Sequence, residues 1–139
     1  MTGTFLNCYS LTTAPTIPSN VEDMFATFAG CTSLETAPTI PSSVMVMTGT
    51  FDGCASLETA PAIPNSVTEI TYIFYRCISL TGEVEINANS LEDYGCCFNG
   101  TAKPITLTGT SPYLNEIADW YDNVSIKRSR NEPSYDEER

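Results

Sequence analysis

The chain contains no histidine. That removes Ser-His and Cys-His nucleophile pairs and leaves zinc without its usual nitrogen ligand. Basic side chains are scarce: six Lys and Arg stand against 17 Asp and Glu, a net charge of −11. Such a chain repels phosphate backbones, so no nucleic-acid binding is expected. No apolar run is long enough to cross a bilayer, so no membrane insertion is expected either. No N-terminal signal peptide is visible, because Met1 already lies inside a repeated unit. The expectation is a fragment or an excised domain, the alternative being a short natural product that starts there. Charged residues make up only 17% of the whole, so the surface should be mostly neutral and polar. Residues 128–139, ending in NEPSYDEER, read as a disordered charged tail.

What the chain has instead is a 23-residue period. MTGTFLNCYSLTTAPTIPSNVED is followed by MFATFAGCTSLETAPTIPSSVMV and MTGTFDGCASLETAPAIPNSVTE, spanning 1–23, 24–46 and 47–69. Two looser copies occupy 70–93 and 94–116, and a cap is expected over 112–127. Aligned, the copies put Phe5, Phe28, Phe51 and Phe74 in one column. Cys8, Cys31, Cys54 and Cys77 form a second, and Leu11, Leu34, Leu57 and Leu80 a third. Ile17, Ile40, Ile63 and Ile86 form a fourth.

A fixed period in this range signals units that bury their apolar faces only against one another. It is too short for a pair of ordinary helices. Pro15, Pro38 and Pro61, with Pro18, Pro41 and Pro64, also oppose helix and favour extended backbone. The expectation is a mainly β solenoid of about five to six stacked repeats, with a short helical C-terminal cap. A strand is expected near SLETAP, a second extended piece at the Ile-Pro step, and a tight turn at Thr-Gly-Thr-Phe. For the cap, the sequence predicts a helix over Pro112–Asp122 with Ser111 as its N-cap and Trp120 packed within it.

The string Val-x-x-Met-x-x-x-Phe-x-x-Cys-x-x-Leu, at Val21–Leu34 and again at Val44–Leu57, resembles the BspA-like leucine-rich repeats of bacterial surface proteins. Residues 1 to about 93 carry the resemblance. It implies a right-handed leucine-rich-repeat coil and a role in adhesion to host proteins, glycans or other cells. It brings no catalytic residues.

Six cysteines raise the question of disulfides. Thiols in parallel columns point the same way, so a reduced, buried ladder is expected. The alternative is that Cys96 or Cys97 approaches Cys77. Glu83, Glu85 and Glu58 gather on one edge and read as solvated acids rather than a catalytic or calcium site. No catalytic, metal or cofactor residues are expected. Two threonine columns, Thr13, Thr36 and Thr59 and also Thr4, Thr27 and Thr50, read as exposed extended backbone. The candidate partner-binding residues are Tyr9, Tyr72 and Tyr75, which flank the Phe and Cys columns.

The leading expectation is a non-catalytic binding module of a bacterial surface or secreted protein, recognising a protein or glycan. One alternative is a structural or receptor-binding part of a phage particle, with the virion as its location. Another is an acidic DNA mimic, although Thr12 breaks the column of Glu35 and Glu58. The first repeat is fully consensus, so further repeats or a partner chain are expected at the N-terminal edge.

Overall fold

The structure is a computed structural model and describes residues 1–127. The expected tail, 128–139, lies outside the described residues. Regular structure is sparse. Three short parallel strands, β1 (Gly82–Glu85), β2 (Ile105–Thr108) and β3 (Val124–Ile126), form one open sheet in the order β1-β2-β3. One short helix, α1 (Leu114–Asp119), lies between β2 and β3 in sequence. The rest of the described chain is turn and irregular backbone. The expected mainly β solenoid of five to six coils is therefore corrected: this small open sheet and helix are all the regular structure among the described residues.

Proline explains why strands fail in the first three copies. One repeat on, the column of Pro15, Pro38 and Pro61 continues as Val84 in β1, Leu107 in β2 and, in the shorter last copy, Ile126 in β3. The sheet thus starts in the first copy that lacks the proline. Just upstream, Thr81 N–H donates to the Glu58 carbonyl at 3.0 Å and Ile63 N–H donates to the Glu85 carbonyl at 2.8 Å. Between these bonds the register calls for a donor at position 61, and proline has none. The strand expected at SLETAP is accordingly reduced to single parallel bridges, Thr13 to Thr36 and Thr36 to Thr59.

On the turn side the backbone is better connected. Phe5 N–H donates to Thr27, Phe28 to Thr50, Phe51 to Ile73 and Phe74 to Cys97, all carbonyl acceptors at 2.8 to 3.0 Å. These bonds set neighbouring phenylalanine rings over one another. Phe5, Phe28, Phe51 and Phe74 have successive centroids 5.4, 5.7 and 5.8 Å apart, with planes within 8°. Parallel planes at these separations are offset stacks. Phe98 follows Phe74 at 5.6 Å with a 19° tilt, after a copy that is one residue longer. Tyr121 ends the series edge-on to Phe98, at 5.9 Å and 82°. Phe28, Phe51, Phe74 and Phe98 are buried, as are Leu34, Leu57 and Leu80. Phe5, Cys8 and Leu11 of the first copy are only half-buried.

The expected Pro112–Asp122 helix is shorter than its sequence suggested. Helix α1 starts after Tyr113, which makes no side-chain cap bond. Ser111 is not the N-cap; it lies two residues before that position, and its Oγ accepts the Tyr113 N–H at 3.3 Å. Leu114, Ile117 and Ala118 are buried on one face. Trp120, expected to pack inside, remains 49% exposed.

Two outcomes test this account. Pro61→Val should supply the missing donor, so that the residue-61 amide exchanges slowly with solvent; exchange as fast as an exposed loop amide would contradict it. Phe51→Ala should destabilise the fold by about 3–5 kcal/mol in denaturant titration, since it empties the middle of the ring column.

Candidate functional site

The same columns decide which groups are buried and which face outward. Cys31 Sγ donates to the Phe5 carbonyl at 3.0 Å, Cys54 to Phe28 at 3.2 Å and Cys77 to Phe51 at 3.1 Å. Thr27 and Thr50, expected on exposed backbone, are instead buried, because their hydroxyls donate to the carbonyls of Met1 and Met24, each at 2.8 Å. Cys97 falls in this threonine row, one residue before Phe98. Its Sγ donates to the Tyr94 carbonyl at 2.8 Å. All six cysteines are free. Burial raises the Cys54 and Cys97 thiols above their ordinary range and pushes Cys77 up to about 12. These thiols are internal packing and hydrogen-bond groups, held protonated.

The outward positions of the turns carry the candidate site. Each repeat has two left-handed positions four residues apart. In the third copy both are glycine, Gly49 and Gly53, with φ of 62° and 75°. In the fourth they are Tyr72 and Arg76, both with φ of 61°. A side chain in this conformation costs about 1–2 kcal/mol, so the fourth copy holds two strained residues side by side. Their effect is to present a cluster. Tyr72 meets Tyr75 edge to face, with centroids 5.3 Å apart at 81°. The Arg76 guanidinium lies 5.2 Å from the Tyr75 centroid, within cation–π range. Asp52, in the row of Tyr75 one copy earlier, has its carboxyl raised by burial, an effect partly offset by the Arg76 charge. Cys96 repels charge on the Tyr72 phenol and raises it. Tyr72 is 42% exposed and Tyr75 is half-buried.

The structure therefore brings Tyr72 and Tyr75 together. Tyr9 stands apart: it is 61% exposed and lies in the first copy, in the row of Thr32, Ala55 and Ile78. Arg76 and Cys96 were missed by sequence reasoning. The signal was present, since each replaces a glycine, alanine or asparagine of its row, but it becomes visible only when the left-handed positions are known. The acidic edge is solvated. Glu83 pairs with Lys127 at 3.4 Å with both side chains more than half exposed, and Glu85 accepts a bond from Asn87 Nδ2 at 2.6 Å. Among the described residues no group of three metal-ligating side chains converges.

The thiols give a pH prediction. Their folded pKa values lie above the unfolded value of about 8.5. Their contribution is therefore complete below that pH and is lost as pH rises toward the folded values. Stability measured by urea titration should fall from about pH 8.5 upward; a flat profile to pH 10 would contradict the burial of Cys54, Cys77 and Cys97.

No family model, curated protein or solved structure matches the chain. The functional reading accordingly rests on the chain's own geometry and sequence pattern.

Proposed function

We propose that the chain is a non-catalytic binding module that holds a protein or glycan partner along its turn edge. One observation carries the reading: the fourth copy puts Tyr72 and Arg76 on strained left-handed backbone where the third uses glycine, and so presents the Tyr72–Tyr75–Arg76 cluster to solvent. Strain of this kind gathers at ligand-contacting sites. Tyr and Arg are also the side chains that anchor interfaces best, because they supply large contact area with a polar end. Leu6, in the Tyr75 row, and Phe25, one position before the Tyr72 row, are exposed as well and extend the apolar character along the edge. The resemblance of residues 1 to about 93 to BspA-like repeats supports an extracellular or bacterial-surface setting.

Arrays of glycans and extracellular proteins probed with the purified chain test the reading. A retained ligand should be lost by about tenfold or more in a Tyr72→Ala, Tyr75→Ala double variant, the loss typical of removing an interface anchor. Empty arrays, or a ligand indifferent to both substitutions, would overturn it.

A further inference from the structure

Trp120 is the only tryptophan of the chain, and it leaves half of its surface open. Its ring stacks on Tyr94 with centroids 5.9 Å apart and planes within 14°. The two rings help to line a hollow of about 450 Å³ together with Thr71, Glu92, Asp93 and Glu116. Glu116 is fixed there, because its Oε2 accepts the Tyr94 hydroxyl at 2.9 Å. That bond also raises the Tyr94 phenol, and it uses up the hydroxyl as a donor. No Lys or Arg lines the hollow. The hollow thus combines a half-exposed indole with three acidic residues, and its side-chain donors are the Thr71 hydroxyl and the indole N–H.

That chemistry discriminates among ligands. An anion is repelled. A sugar stacks on the indole and finds acceptors in the acids, but has only the Thr71 hydroxyl and the indole N–H as side-chain donors and gains nothing from the negative charge. A cation satisfies both parts, through the quadrupole of the ring and the charge of the acids. We propose that the hollow binds a lysine-type ammonium, free or methylated, carried by a basic peptide. This goes beyond the binding edge at Tyr72 and Tyr75, and it stands whether or not that edge holds a partner.

The single tryptophan is its own reporter. The full chain is titrated with trimethyl-lysine amide and, separately, with its neutral tert-butyl isostere and with glucose, all at constant ionic strength. The ammonium probe should change Trp120 fluorescence saturably, with affinity at least about tenfold above the neutral isostere. Glu92→Gln alters only an exposed side chain and should weaken the ammonium by several fold with an unchanged amide spectrum. The Tyr72→Ala, Tyr75→Ala variant should respond like the parent. Absence of saturation, equal response to the isostere, or saturation by glucose instead would each overturn the proposal.

Discussion

The structure depends on backbone hydrogen bonds that join residues 22 or 23 positions apart on the turn side. Gly30 N–H reaches the Asp52 carbonyl, Gly53 reaches Tyr75 and Arg76 reaches Asn99, at 2.7 to 2.8 Å. These bonds require left-handed backbone at fixed places, and they bring each phenylalanine over the next. The aromatic column then supplies the apolar mass that a chain with so little regular secondary structure must bury. The thiols of Cys31, Cys54 and Cys77 and the hydroxyls of Thr27 and Thr50 complete the arrangement by donating to carbonyls of the preceding copy, and no buried side-chain nitrogen or oxygen among the described residues is left without a partner.

Much of what is buried was legible in the sequence, because a fixed period with apolar columns states which side chains share an environment. Phe28, Phe51 and Phe74 needed nothing more than alignment. The form of the backbone was not legible in the same way. Stacked extended chains seemed to require strands, yet a proline at the donor position of each early copy leaves only isolated bridges. The sheet appears where Val84, Leu107 and Ile126 replace it. The prolines oppose helix and favour extended backbone, but their cost to a parallel ladder is equally direct. Cys97 falls in the row of Thr27 and Thr50 rather than in the cysteine column, a placement that emerges only once the fourth copy's extra residue is allowed for. The helix start failed for a local reason: Ser111 bonds to Tyr113 before any helical turn has begun.

The candidate site was half visible. Tyr72 and Tyr75, three apart, stand out in the sequence as exposed-type aromatics flanking the Phe and Cys columns, and they meet. Arg76, Cys96 and Trp120 join the proposed binding surfaces through geometry that sequence does not display: a positive φ at the first two, and at the third an indole half exposed beside a helix shorter than expected. Tyr9 shares the residue type but not the neighbours. The surfaces argued to bind ligands therefore lie where the later copies depart from the consensus.

The most direct test of the central constraint is NMR detection of scalar coupling through the hydrogen bonds on the turn side, in uniformly labelled protein. The account predicts couplings from the Gly30, Gly53 and Arg76 amides to the carbonyl carbons of Asp52, Tyr75 and Asn99, with all three amides protected from exchange. Unprotected amides with no coupling to those carbonyls would contradict it.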